Sequence, residues 1–348
     1  MHVPDGFFNA PVSIAAGAFA AAGLGVCLRG ARRELDDRTA PMAGLVAAFI
    51  FAVQMLNFPV AAGTSGHLLG GTLAAVLVGP YTAVLCVAVV LLVQGFFFAD
   101  GGLTALGVNI SLMAIVTAAV GWAVFRLVVR AVPRGRAIIP VAAFAGAVIS
   151  VPVAALIFTV LFWIGGTAPI DVSSVAVAMG GVHVLIGIGE GVITALTVSS
   201  VLAVRPDLVY GARGLTAPLV LRSADGTTSE VASTPAPAPA PAPARSARPL
   251  LIGGALVAVL LAGFVSFYAS SSPDGLEKVA GDKGLDVNEK GHAMNGSPLA
   301  DYGVKGIGNE RLAVGVAGVA GVGITVVAGG AIFYAVRRRN RDQERAHV

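Results

Sequence analysis

The sequence predicts an all-α membrane protein, a polytopic bundle of about seven spans followed by a two-span hairpin that carries an extracytoplasmic loop. Three observations lead there. Hydrophobic residues make up 56% of the 348 positions and charged residues 12%, against about 45–50% and about 25% in soluble domains. The apolar residues gather in runs close to the roughly 20 residues, at about 1.5 Å each, that a spanning helix needs. None of these runs alternates apolar and polar positions for long, which argues against a transmembrane barrel. The 45 glycines and many alanines suit close packing of helices in lipid.

In chain order the runs cover 10–28, 40–57, 67–79, 80–98, 108–130, 137–164 and 174–203, then 250–269 and 312–336. The third is short and joins the fourth at Gly79-Pro80, so a half-helix or a tilted span is expected there. Lys and Arg are retained on the cytoplasmic side. Arg29, Arg32, Arg33 and Arg38 follow the first run, and Arg126, Arg130, Arg134 and Arg136 close the fifth. Arg205 follows the seventh, and Arg337-Arg338-Arg339 the last. With these inside, the connections 58–66, 99–107 and 165–173 face out without Lys or Arg, and the five remaining basic residues share one outer loop, 270–311. This puts the N-terminus outside and the C-terminus in the cytoplasm of a bacterial cell. The opening residues lack the basic stretch of a cleavable signal, and His2 is too large for removal of the initiator Met. A mature chain beginning Met1-His2 is therefore expected.

From 206 to 249 the pattern changes. Thr234-Pro235-Ala236-Pro237 opens a Pro-Ala alternation that runs to Ala244, a composition that favours a semi-rigid polyproline II spacer of about 3.1 Å per residue. The expected organisation is a seven-span module at 1–205, a cytoplasmic linker at 206–249 and a two-span hairpin at 250–340. Cys27 and Cys86 each lie in an apolar run, so no disulfide framework is implied. The formal charge of +4 is too small and too dispersed to indicate nucleic acid. No Gly-Lys dipeptide occurs, and with it no phosphate-binding loop. Any ATP hydrolysis would belong to partners, and the chain is not expected to be an enzyme.

The chemistry rests on few residues. His2 and His67 both fall on the outer side. The Met1 amine, the deprotonated His2 amide and a His2 ring nitrogen can occupy three corners of a square, closing five- and six-membered chelate rings. His67 would complete a square-planar N4 site, a donor set for Ni(II) or Cu(II), with Co(II) also accommodated, and a poor one for Mg, Ca or tetrahedral Zn. The plainer alternative is a terminal His2 without a role and a His67 that caps a helix. Gly63-Thr64-Ser65-Gly66 matches the Gly-x-Ser-Gly pattern of rhomboid intramembrane proteases, with His183 as the base. No independent feature supports that reading. His183 and Glu190, seven apart in the seventh run, share a helix face and serve either as ligands or as an interhelical hydrogen-bonded pair, beside Gly187, Gly189 and Gly191. Gln54, Asn57, Gln94 and Asn109 are intramembrane polar residues that need partners, and they are candidates to support the metal loop from behind. In the outer loop, Pro273-Asp274-Gly275-Leu276-Glu277 precedes His292 and Met294, two donors that a passing metal could touch. The outer side carries ten acids against five bases, a mild attraction for cations.

Met1-His2-Val3-Pro4-Asp5-Gly6-Phe7 resembles the opening of the CbiM/NikM family, the substrate-specific components of cobalt and nickel energy-coupling-factor transporters. The likeness continues through Gln54-Met55-Leu56-Asn57-Phe58-Pro59-Val60, through Gly63–Gly70, through Gln94–Gly107 and through His183–Glu190. It covers roughly 1–205 with separated motifs in the right order. The stretch 250–340 is similar to the PDGLE domain, akin to NikN, chiefly through residues 273–277. The resemblance implies metal binding by the Met1 amine, the His2 amide and imidazole, and His67, and it makes Ser65 part of the loop that presents His67. It also implies Co(II) or Ni(II) as transported cargo with no permanent cofactor. The implied partners are a transmembrane coupling protein of CbiQ/NikQ type and ATPases of CbiO/NikO type. A membrane sensor or scaffold that binds the same ion without moving it is the alternative from another class. Loop 270–311 is expected to cover the site.

Overall fold

The computed structural model describes residues 1–36, 39–61, 63–132, 135–213, 220–222, 228–230 and 246–346. Seven of its helices are long and apolar enough to cross a membrane, and the strands among the described residues form two small two-stranded sheets. The all-α polytopic architecture is as the composition requires.

Helix α1 (Ala10–Ala31) starts where the Asn9 side chain accepts from the Val12 amide and Pro11 occupies the first turn, both favourable at a helix N-terminus. After α2 (Thr39–Gln54) the chain turns back through β1 (Phe58–Ala61) and β2 (Thr64–Gly66), antiparallel with Phe58 opposite Gly66 and Pro59 opposite Ser65. The third apolar run then divides. Residues 67–70 form no regular element, and only Gly71–Val78 forms a helix, α3, of about 12 Å with every residue buried. It is the half-helix its length suggested. Helix α4 (Pro80–Val93) continues into a wider π turn at Gln94–Phe98. Helix α5 (Leu106–Ala131) contains a second π stretch, Ile110–Val116. Helices α6 (Ile138–Gly165) and α7 (Val172–Val204) complete the large module. The hairpin comprises α8 (Arg248–Gly263), a loop carrying the short α9 (Gly275–Lys283), and α10 (Glu310–Ala346).

Helices α3 and α4, apolar on all sides, lie at the centre, whereas Ile14 and Phe19 of α1, Val177 and Leu196 of α7, and Ile252 and Leu256 of α8 are exposed. Those outward apolar side chains belong against lipid. Small residues set the helix contacts. A Cβ on Gly187 would lie 3.0 Å from the Val148 carbonyl oxygen of α6, and one on Gly191 would lie 2.8 Å from the Phe144 ring. Gly44 of α2 faces Gly330 of α10, and Gly318 of α10 meets the Ala262 carbonyl of α8. The hairpin therefore packs on the module through α2. Residues 206–213, which the composition places in the linker, also pack on the bundle: Val209 is buried and Tyr210 lies tilted against Trp122. Arg205 pairs with Asp207 and donates to the Ser246 carbonyl at 2.8 Å, so the two ends of the linker meet. The Pro-Ala alternation lies outside the described residues.

This packing gives a paired test on one helix. Gly187→Leu should lower thermal stability in detergent, because overpacking costs about 1–3 kcal/mol. Gly181→Leu, where a Cβ meets nothing within 4 Å, should leave the melting temperature unchanged or raise it.

Candidate metal centre

The first five residues are strapped to the segment between α4 and α5. The Gly102 amide donates to the Val3 carbonyl at 2.9 Å, the Val3 amide donates to Asn109 Oδ1 at 2.8 Å, and Asn109 Nδ2 returns to the Val3 carbonyl at 3.1 Å. Asn109 sits where α5 enters its π stretch, a widening often found at functional sites. Asp5 accepts from the Leu103 and Thr104 amides at 3.2 and 2.7 Å and from the Thr104 hydroxyl at 2.5 Å. A Cβ on Gly102 would fall 2.2 Å from the Asp5 nitrogen, so this close approach of two backbones requires glycine. The strap leaves the Met1 side chain 1% exposed.

His67 reaches the same point from the other direction. Glu190 on α7 accepts from the Leu69 amide at 2.6 Å and from the Gly70 amide at 3.1 Å, while Gln54 Nε2 donates to the Leu69 carbonyl at 3.1 Å. Gly70, at φ +88°, lets the chain turn from this clamp into α3. Glu190 and Gln54 thus hold the loop and stand back from the ring. His67 Nδ1 lies 3.1 Å from the Leu68 carbonyl. A carbonyl only accepts, so Nδ1 carries the proton and Nε2 the lone pair. That lone pair faces the Met1 nitrogen at 2.6 Å.

The His2 tautomer follows from a longer chain of the same logic. The Tyr302 hydroxyl lies 2.5 Å from Asp100 Oδ2, and the carboxylate accepts. Burial, reinforced by Asp100, holds the Tyr302 phenol well above its usual pKa, so it keeps the proton it donates. Its oxygen then accepts from Gln94 Nε2 at 2.9 Å, which turns Gln94 Oε1 toward His2 Nε2 at 3.0 Å. His2 Nε2 must therefore donate. Burial, only partly offset by Asp100, pushes the His2 pKa down to about 4, so the ring is neutral at pH 7 and Nδ1 holds its lone pair. Asp100 Oδ1 stands 3.4 Å from Nδ1, beyond ordinary hydrogen-bond length. Nδ1 is the nitrogen able to close a six-membered chelate ring with the residue's own amide. The His2 and His67 rings stack with centroids 5.1 Å apart.

The hairpin loop covers this point. Asp274 Oδ2 lies 2.9 Å from the Met1 nitrogen and 3.4 Å from His67 Nε2. Burial opposes its charge, yet the Met1 ammonium beside it holds its carboxyl well below the usual range. His2, His67 and Asp274 form a group with ligand atoms within 4.8 Å of one another. Ser65 fixes the loop. Its amide donates to the Pro273 carbonyl at 2.9 Å and its hydroxyl to the Ser272 carbonyl at 2.7 Å. Asn57 takes part through its backbone carbonyl, which accepts from Ser270 at 2.7 Å.

Ser65 and His183 make no nucleophile–base pair. His183 Nδ1 donates to the Met179 carbonyl at 2.8 Å, and its buried Nε2 has no hydrogen-bond partner among the described residues. His183 and Glu190 do not bond each other either, because both Glu190 oxygens hold the His67 loop. His292 anchors the loop, with Nε2 donating to the Gly101 carbonyl at 3.1 Å and Nδ1 accepting from the Met294 amide. With both nitrogens engaged, the His292–Met294 pair offers no metal donor from that ring. Sequence reasoning missed two residues at the centre. Asp274 registered only within its motif and among the outer acids, and Tyr302 carried no signal at all.

The description of one protein family, the cobalt uptake substrate-specific transmembrane region (CbiM), matches residues 2–208, and that of the PDGLE domain matches residues 248–338. The fused nickel transport protein NikMN of Rhodobacter capsulatus is 37% identical over 231 residues, covering 63% of this chain and 66% of that protein. The cobalt transport protein CbiM of Sorangium cellulosum is 36% identical over 183 residues, covering 51% of this chain and 80% of its own. A crystal structure of a transition metal transporter superposes with a TM-score of 0.54 at 27% identity, over 62% of this chain and all of that one. The strapped N-terminus, the clamped His67 loop and the covering hairpin accordingly lie in a multi-pass membrane protein that belongs to the CbiM family and carries a PDGLE domain at its C-terminal end.

Proposed function

We propose that this chain is the substrate-binding membrane component of an energy-coupling-factor importer for Co(II) or Ni(II). It captures the ion on the outer face through the Met1 amine, the His2 amide and Nδ1, and His67 Nε2. One observation carries the reading. The Met1 nitrogen and the His67 Nε2 lone pair stand 2.6 Å apart beside a His2 ring whose partners leave Nδ1 as its free donor. A chelate of a terminal amine, a deprotonated amide and two imidazole nitrogens suits square-planar Ni(II) or Cu(II). Relatives named for cobalt and nickel transport favour Ni(II) and Co(II) as cargo. The basic ends of α1, α5, α7 and α10 support placing the opposite end, where Met1 lies, outside. Partners of the coupling-protein and ATPase kinds supply the ATP-driven step, since the chain has no phosphate-binding loop of its own.

Adding one residue before Met1 turns the terminal amine into an amide and removes a ligand. Ni(II) and Co(II) affinities of the native and extended proteins should be compared at one fixed, mildly alkaline pH, because protons compete with the metal. Outer-shell losses alone cost about 10–100-fold, so the extension should weaken binding by at least about a hundredfold. Equal affinities would place the ion elsewhere. Uptake of labelled ion with the coupling protein and ATPases present separates a carrier from a sensor: binding without any uptake would favour the sensor.

Tyr302→Phe breaks the relay that orients Gln94. In protein labelled with ¹⁵N at histidine, the His2 ring should lose its single Nε2-protonated signature and show a mixture of tautomers. Ni(II) affinity should fall about tenfold, the scale of an outer-shell loss. An unaltered His2 spectrum would show that the tautomer is set by something other than this chain.

A further inference from the structure

We propose that Asp274 is a direct ligand of the transported ion, placed at the apex of the nitrogen square, so that the site is closed by a donor from the C-terminal hairpin. The inference rests on the nitrogen chelate proposed above and adds a fifth ligand to it.

The two oxygens of Asp274 have separate tasks. Oδ1 accepts from the Leu276 and Glu277 amides at 2.7 and 2.9 Å and caps α9. The capping box is closed by Glu277, which accepts from the Asp274 amide. This fixes the carboxylate plane and leaves Oδ2 facing the site. Three donor atoms then form a triangle: Met1 nitrogen to His67 Nε2 2.6 Å, Met1 nitrogen to Asp274 Oδ2 2.9 Å, and His67 Nε2 to Asp274 Oδ2 3.4 Å. Ligand atoms about 2.1 Å from an ion and at right angles around it are separated by about 3 Å. The triangle has the size of one face of such a coordination shell.

Charge gives an independent reason. The side chains concerned are 1% exposed at Met1, 5% at His67 and 11% at Asp274. A net charge left in such surroundings is costly unless paired. A divalent ion bound by one amide anion and three neutral nitrogens keeps a single positive charge, and the Asp274 carboxylate cancels it. Among the described residues no other carboxylate joins this group. Asp100 Oδ1 stands 3.4 Å from His2 Nδ1 but outside the His2–His67–Asp274 group, with Tyr302 on its other oxygen, Asp5 is engaged by Leu103 and Thr104, and Glu190 by the His67 loop.

The test uses the full chain with its native Met1, loaded with one equivalent of Ni(II) chloride, and Ni K-edge X-ray absorption. A four-coordinate square-planar Ni(II) shows a strong edge feature from its empty axial orbital, and an apical oxygen suppresses it. The native protein should lack the feature, and Asp274→Asn should gain it and turn diamagnetic. Asn still offers an oxygen to cap α9, and Asp274→Ser, a second capping residue, should give the same spectrum if the change comes from the lost ligand. A native protein that already shows the square-planar feature, unchanged in both variants, would overturn the apical ligand and leave the nitrogen chelate standing. If the protein extended before Met1 binds Ni(II) as tightly as the native one, the chelate itself fails and the apical ligand with it.

Discussion

A chain terminus is normally left in water, and here it is buried. The Met1 ammonium meets His67 and Asp274, and a charge so enclosed survives only where a partner of opposite sign is supplied. That requirement organises this end of the molecule. Three stretches far apart in sequence converge on one nitrogen: the N-terminal strap, the loop after β2 and the start of α9. Each has its own anchor. The strap is held by Asn109 and Gly102, the loop by Glu190 and Gln54, and α9 by its capping box and by Ser65. Removing any one anchor therefore leaves the other two stretches facing an incomplete point of contact.

Burial also dictates how the polar groups are arranged. Away from water, each donor and acceptor needs a protein partner, and that condition alone could be met in many ways. What distinguishes this site is that the hydrogen-bond direction is fixed at both ends by groups that can only accept. The Leu68 carbonyl settles which His67 nitrogen is protonated. The Asp100 carboxylate settles Tyr302, then Gln94, then His2. Each ring of the His2–His67–Asp274 group thereby keeps one nitrogen with a lone pair, Nδ1 of His2 and Nε2 of His67. Gln94 and Asn109 each stand where an α-helical turn widens.

Much of this was legible in the sequence. Apolar runs located the spans, and the short third run foretold a helix too short to cross. His2 and His67 were found from chelate chemistry, and Gln54, Asn109 and Glu190 from the rule that buried polar groups need partners. Other parts were hidden for physical reasons. Asp274 reads as an ordinary helix cap, and for Oδ1 that reading is correct. Nothing in the spacing reveals that Oδ2 meets a nitrogen 273 residues away. Tyr302 belongs to no pattern, because its role exists only once the hairpin is docked. Glu190 was weighed as a partner for His183, whereas its partners are backbone amides, which no side-chain pattern announces. The packing of residues 206–213 on the bundle was hidden for a similar reason: Tyr210 finds Trp122, a contact between elements that local composition does not show.

The hairpin's contribution depends on where its precision comes from. A long tether raises effective concentration without fixing geometry. Here Arg205, at the end of α7, donates to the carbonyl of Ser246, two residues before α8, across 41 positions of sequence. Aim comes from the helices. Gly44 against Gly330, and Gly318 against the Ala262 carbonyl, bring α2, α10 and α8 to backbone contact, where a small residue leaves little freedom to slide. The register set there is carried along α8 and α10 to the loop, where Asp274 and Tyr302 meet the N-terminal strap and its neighbours to within hydrogen-bond tolerance. Small residues within the helices thus position polar ones at the end of the bundle.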